Sequence, residues 1–326
     1  MSSTKEMFQR LFANKMSESK MREFLVSIPL DGSISVEYIA TAAEVMRQNA
    51  IPLEVNEELR EKLLDVVGTG GDKIGSFNIS STSALVCAGA GCYVAKHGNR
   101  SITSKSGSAD MLEVLGVRLD LDIKKSARLL EESGFTFMFA KNHHPAMKFI
   151  MPVRKSIDVK TIFNILGPLT NPANVKKSML GVFDKELVPK IAQALKLNGF
   201  KSALVVSSQE GMDEISLSGI TYACRLKDNE LEEFEIDPEE FGLKRAPLEA
   251  IVGGDAKQNA KITLDILNNR ASDAQRDIVL LNTGASLMVD GVARDIKEGI
   301  EMARDTIESK KAVKKLEEIV KVSNAL

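Results

Sequence analysis

The chain has 326 residues, 44% of them hydrophobic, and a formal net charge of −2 from 43 basic and 45 acidic side chains. That length accommodates one large domain or two sharing a core, and no stretch approaches the roughly 20 apolar residues of a membrane span. Charges of both signs are well mixed, which excludes a broad nucleic-acid footprint, so any phosphate recognition must be local. Cys87, Cys92 and Cys224 are odd in number and contain no CxxC pair. They argue against a disulfide framework or a structural zinc site and lead to an expectation of three reduced, packed thiols. The segment MSSTKEMFQRLF is amphipathic without a continuous apolar stretch or a small-residue cleavage site, so no secretory signal is expected and the cytoplasm is the expected compartment.

In chain order, Met21, Phe24, Leu25 and Ile28 repeat at helical spacing, and Ile39, Ala43 and Met46 continue the period, with Ser17 and Ser35 placed to cap. At Leu63 the pattern changes to LLDVVGTGG, a buried strand ended by glycines, and this sets the expected boundary between a helical domain, 1–62, and an α/β domain, 63–326. Further strands are expected at CYVAK, FTFMFA, ALVVSS and TYACRL, with helices near 80–90 and 123–133 between them. This alternation predicts an α/β sheet covered by helices. The segment of about 144–170 reads as helical with no strand and is expected to return to the N-terminal helices. Amphipathic segments at 260–267, 274–289 and 296–307 lead into a helical tail.

Gly68-Thr69-Gly70-Gly71-Asp72 directly follows the first strand; glycine there either lets backbone N–H groups cradle a phosphate or makes an ordinary tight turn. The loop lacks the GK[ST] of a Walker motif and the third glycine of the dinucleotide fingerprint. Asn78-Ile79-Ser80-Ser81-Thr82 opens an apolar helix, offering an anion site or a plain serine cap. Lys96-His97-Gly98-Asn99-Arg100-Ser101 follows the next strand, with Ser106-Gly107-Ser108-Ala109-Asp110 close behind, again at a strand's carboxyl end where α/β proteins bind ligands. Asp213-Glu214 follows ALVVSS and is either a solvated turn or a hard-cation site suited to magnesium.

The motifs GTGGD, FNISST, KHGNRS, SGSADMLEVLG, HHPAMKFIMPVRK, TIFNILGPLTNPA, GMDEIS, GGDAKQNAKI and RDIVLLNTGASL resemble, in order, those of the anthranilate phosphoribosyltransferases of tryptophan biosynthesis, over roughly residues 60–320. The resemblance implies a small helical domain plus a larger α/β domain with a mixed central sheet covered by helices, the general fold of the pyrimidine nucleoside phosphorylases. It implies a Mg²⁺-dependent transfer from phosphoribosyl pyrophosphate (PRPP) to anthranilate in a homodimer joined through the N-terminal helices, for which the apolar stripe of Phe8, Leu11 and Phe12 in the first helix is a further motive, with no nucleic-acid or membrane partner. By resemblance, Gly68, Gly70, Gly71, Asp72, Asn78, Ser80, Ser81, Lys96 and Ser108 hold PRPP, while Ser80, Asp213 and Glu214 hold the metal. Gly68, His97, Asn99, His144 and Arg154 line the anthranilate route, with Arg154 opposite the carboxylate; its alternative is an ion pair with Asp158 one helical turn on. Two rival readings are a nucleoside phosphorylase, which would not need the Asp-Glu pair, and a catalytically inactive nucleic-acid binder, which would need a basic surface.

Overall fold

The protein is described by a computed structural model covering residues 2–100 and 105–326. Strands β1 (Leu63–Gly68), β2 (Tyr93–Gly98), β3 (Phe135–Phe139), β4 (Lys177–Gly181), β5 (Ser202–Ser208), β6 (Thr221–Lys227) and β7 (Glu230–Ile236) form one mixed sheet in the order β3-β2-β1-β4-β5-β6-β7. The first five are parallel to one another, and β6 and β7 are antiparallel additions. Asp228 and Asn229, both at positive φ, make the tight β6–β7 turn, as short polar side chains in two-residue hairpins do. Strand order runs outward from β1 in one direction and from β4 in the other. The β1/β4 junction is therefore where an open α/β sheet has its ligand crevice, outside the carboxyl ends of the strands.

Two apolar cores lie on opposite faces of the sheet. One joins Leu64, Val66, Met179, Leu204 and Val206 to the helices Ile79–Gly89, Asp273–Asp290 and Ile296–Glu308. The other joins Leu63, Val67, Leu180 and Val205 to Ile191 and Leu195, and continues without a break into the N-terminal helices. Ile150 and Val153 of the helix Met147–Lys155, and Ile165, Leu166 and Leu169 of the helix Phe163–Leu169, lie in this second core with Phe8, Leu11, Phe12, Met21 and Leu25. The middle of the chain thus returns to its beginning. Alternation along β1 decides which core each residue enters, since successive strand side chains point to opposite faces.

The apolar stripe of the first helix, Ser2–Phe12, is used within the chain. Phe8 is buried edge-on against Phe24 and Tyr38, and Phe12 against Phe163. This removes the stripe as a motive for dimerisation. Ser17 accepts from the Lys20 N–H as a cap should, whereas the Ser35 hydroxyl donates to Glu37 instead. Among the described residues no helix is long and apolar enough to cross a membrane, and the three cysteines are buried and unpaired.

Candidate active site

The crevice is assembled from the sheet outward. Gly68 and Gly181 are paired at the ends of β1 and β4, and the 209–214 turn folds down on both. A Cβ on Gly68 would stand 2.2 Å from Asp213 Oδ2, and one on Gly181 would stand 1.6 Å from the Asp213 carbonyl oxygen. Only glycine permits that approach. Asp213 is held by the Gly70 N–H, which donates to its Oδ2 at 2.6 Å, and Glu214 Oε1 accepts from the Ser80 N–H at 3.1 Å. The Asp-Glu pair is therefore built into the glycine loop and the first turn of the helix Ile79–Gly89.

Gly70 and Gly71 have φ of +67° and +81°, the left-handed region that suits glycine. Burial, and then the charge of Asp72, push the Asp213 carboxyl up to about 7. Burial and the charge of Asp213 hold Glu214 well above the usual carboxylate range, with Lys96 opposing. Crowded carboxylates of this kind favour an added cation. Lys96 is fully buried; its ammonium donates to the Val66 carbonyl and lies 3.4 Å from the Ser80 hydroxyl. Among the described residues no three His, Cys, Asp or Glu side chains converge on one point. The donor set of two carboxylates and a hydroxyl fits Mg²⁺, which keeps several waters and completes its shell on substrate phosphates, better than it fits a protein-enclosed metal.

Motifs outside the crevice hold these pieces in place. Gly253 N–H donates to the Gly75 carbonyl at 2.9 Å, and Asn259 Nδ2 donates to Asn78 Oδ1 at 2.9 Å, so GGDAKQN braces the segment between the glycine loop and the helix Ile79–Gly89. Asn282, within RDIVLLNTGASL, accepts from the Ile215 N–H at 2.9 Å and donates to the Ile215 carbonyl at 2.8 Å, which fixes the chain next to Glu214.

Beyond β2 the character changes. The His97 ring is buried, and its Nδ1 lies 3.0 Å from the Gly167 carbonyl. A carbonyl only accepts, so Nδ1 carries the proton and Nε2 is a bare acceptor. His144 lies with its ring centroid 5.2 Å away, and the Nε2 atoms of both rings are buried without a partner among the described residues. Burial first, then the neighbouring imidazole, lowers His97 to about 3; burial first, then His143, lowers His144 to about 4. Both rings are neutral at pH 7. Arg154 makes no ion pair with Asp158; its guanidinium lies 5.2 Å from the centre of the Phe163 ring and, among the described residues, donates one hydrogen bond, to Met151 Sδ. Burial is the sole cause lowering its pKa, with no carboxylate opposing.

A family model described as the glycosyl transferase family, a/b domain, matches residues 60–313. The anthranilate phosphoribosyltransferase of Persephonella marina is 44% identical over 97% of this chain and 92% of its own length. That of Aquifex aeolicus is 46% identical over 89% and 84%. The crystal structure of the Thermus thermophilus anthranilate phosphoribosyltransferase superposes with a TM-score of 0.93 at 39% identity, covering 99% of this chain and 95% of that one. The chain belongs to the anthranilate phosphoribosyltransferase family. A Saccharomyces cerevisiae member, solved in complex with PRPP and Mg, shares 29% identity and a TM-score of 0.86 over 98% of this chain and 91% of its own.

Gly68, Gly70, Ser80, Lys96, Asp213 and Glu214 are brought together at the crevice, and His97 and His144 stand beside each other. Ser81 is fully buried with its hydroxyl unpartnered among the described residues, and Asn99 is exposed, its side chain accepting from the Arg100 N–H. Ser108 opens the helix Ser108–Val114 beside Gly98, while Ser101 lies outside the described residues. Sequence reading missed Lys160. Its ammonium sits 3.2 Å above the Phe183 ring and about 4.0 Å from where a Gly71 Cβ would be. No motif signalled it, because it falls in the link between two helices.

Proposed function

We infer that this chain transfers the 5-phosphoribosyl group of PRPP to the amine of anthranilate and releases pyrophosphate, with Mg²⁺ as cofactor, in tryptophan biosynthesis. The observation that carries the reading is the crowding of ionisable groups at the glycine loop beside a buried pair of neutral imidazoles. Asp72, Asp213 and Glu214 crowd the glycine loop, and Arg154, which has no carboxylate partner among the described residues, stands on the returning segment whose Gly167 holds His97. PRPP arriving with magnesium answers the first, and the acceptor's carboxylate answers the second.

Gly68, Gly70, Gly71 and Asp72, with Asn78, Ser80, Ser81, Lys96 and Ser108, are assigned to PRPP. Asp213, Glu214 and Ser80 would hold Mg²⁺, which would neutralise charge on departing pyrophosphate. Backbone N–H groups at the glycine loop and Lys96 stabilise the same developing charge. Arg154 grips the anthranilate carboxylate, and the Nε2 lone pairs of His97 and His144 receive N–H bonds from its amine. An aromatic amine is neutral at pH 7 and loses its proton readily once the C–N bond forms, so positioning suffices and no strong base is required.

Pyrophosphate release should require PRPP, Mg²⁺ and anthranilate together. Phosphate-dependent cleavage of a pyrimidine nucleoside would favour the phosphorylase reading instead. A homodimer through the outer faces of the N-terminal helices is proposed, where a surface hollow of about 500 Å³ is lined by Ala40, Thr41, Glu44 and Leu197. A monomer by light scattering at micromolar concentration would overturn it. The proposed compartment is the cytoplasm, in keeping with three unpaired thiols; cell fractionation tests it.

A further inference from the structure

Strands β1 and β2 begin as neighbours but do not stay paired. Their ladder covers Leu63↔Tyr93 and Leu64↔Val94 only, whereas β1 stays paired with β4 as far as Gly68↔Gly181 and β2 with β3 as far as Gly98↔Phe139. Continued at that register, a parallel ladder would join the Val66 N–H to the Ala95 carbonyl and the His97 N–H to the Val66 carbonyl. Side chains take over these groups. Asp65 Oδ1 accepts from the His97 N–H at 3.1 Å, and the nearby Val66 N–H also favours the ionised Asp65 carboxylate. Asn171 Nδ2 donates to the Ala95 carbonyl at 2.7 Å and to Asp65 Oδ2 at 2.8 Å. The Val66 carbonyl takes the Lys96 ammonium.

Buried backbone polar groups demand partners, so a sheet can be parted in its interior only if side chains replace the ladder. Asp65 is fully buried and Asn171 2% exposed, and Asn171 comes from the returning segment whose Gly167 carbonyl holds the His97 ring. We propose that Asp65 and Asn171 are positioning residues that part β1 from β2, so that the glycine loop and His97-Gly98-Asn99 flank a gap wide enough for both substrates, with the acceptor residues tied to the segment carrying Arg154. The proposal rests on the phosphoribosyl-transfer reading. Because the clasp holds His97 rather than the glycine loop, its loss strikes the acceptor first.

The test is the Michaelis constant for each substrate in Asp65→Asn, Asn171→Ser and the exchange Asp65→Asn/Asn171→Asp. Wild-type turnover, measured first, tests the proposed function by itself. Each single variant should raise the anthranilate KM by about tenfold or more, since a charge-assisted bond is lost, with PRPP KM within about threefold. The exchange restores a donor and an acceptor between positions 65 and 171 and should recover part of the loss relative to Asp65→Asn, the Ala95 carbonyl remaining unpaired. Should Asp65→Asn fail to fold, Asn171→Ser decides, because it leaves the carboxylate on the His97 N–H. Folded variants with an unchanged anthranilate KM, or equal rises for both substrates without recovery in the exchange, would overturn the assignment. So would failure of both single variants to fold, which would make the clasp only a structural strut.

Discussion

The sides of the crevice proposed for donor and acceptor are built on opposite electrostatic plans. Around the glycine loop, Asp213, Glu214 and Lys96 are ionisable groups forced into close, buried company, where burial works against the charge on each. Around His97 the groups are neutral imidazoles with bare acceptors, and Arg154, on the same returning segment as Gly167, rests on an aromatic ring. The lesson is that each side is incomplete in the sense its substrate completes. A pyrophosphate needs metal and N–H donors, while an aromatic acid needs a planar cation and a dry wall.

The comparison breaks most sharply at the carboxylates. Asp213→Asn with Glu214→Gln should lower turnover by about a hundredfold or more, as loss of a metal's charge stabilisation does. Stability should move the other way. Both groups have folded pKa values above their unfolded ones, so their ionisation costs the folded state stability as pH rises through and beyond about 4. Neutral isosteres remove that cost, and the melting temperature at pH 7.5 without metal should hold or rise. A double variant with wild-type turnover and an unaltered Mg²⁺ titration would reduce the pair to a structural brace of the glycine loop.

Next in size is Arg154→Ala, which should raise the anthranilate KM about ten- to a hundredfold with a much smaller change for PRPP. Aniline, followed by pyrophosphate release, should distinguish poorly between wild type and variant because it lacks the carboxylate. Lysine should rescue only in part, since an ammonium lacks the fork geometry. Equal losses for both substrates would make Arg154 a packing residue. Gly70→Ala has a smaller expected effect. Its Cβ meets nothing within 4 Å, so the cost is about 1 kcal/mol of left-handed backbone strain, and calorimetry should find PRPP affinity reduced more than anthranilate affinity.

The finest test concerns protons. His97 at about 3 and His144 at about 4 lie below the 6.5 of a free imidazole. The folded chain therefore binds fewer protons than the unfolded one across that window. Their contribution to stability is full above about pH 6.5 and is lost as pH falls toward 3 to 4. The chain has three histidines, so their NMR signals are easily separated. The signals of His97 and His144 should keep neutral shifts down to pH 5, and a midpoint near 6.5 for either would place a charge on the acceptor wall.

How far the sequence could be read follows the same division. The apolar strands β1, β2, β3, β5 and β6, the glycine loop and the Asp-Glu turn were legible because each is a local pattern. Two strands were not foreseen. KSMLG has a lysine and a serine before its short apolar stretch, and ELEEFEI is an acidic edge strand whose charges guard an open edge rather than announce a strand. The pairing of Asp65 with Asn171, 106 positions apart, and the clamp of Asn282 on Ile215 are tertiary, and no local pattern could have shown them. In the first helix, the apolar stripe of Phe8 and Phe12 looked available to a partner because amphipathicity does not say which surface covers it. Phe24, Tyr38 and Phe163 of the same chain cover it.

The most direct measurement of the account as a whole is the fall in anthranilate fluorescence on incubation with the protein, PRPP and Mg²⁺, with each omitted in turn. Signal should be lost only when all are present, at a rate that saturates in both substrates. Consumption that persists without Mg²⁺, or no consumption with the full set, would contradict a crevice built to join a metal-bound pyrophosphate donor to an aromatic amine.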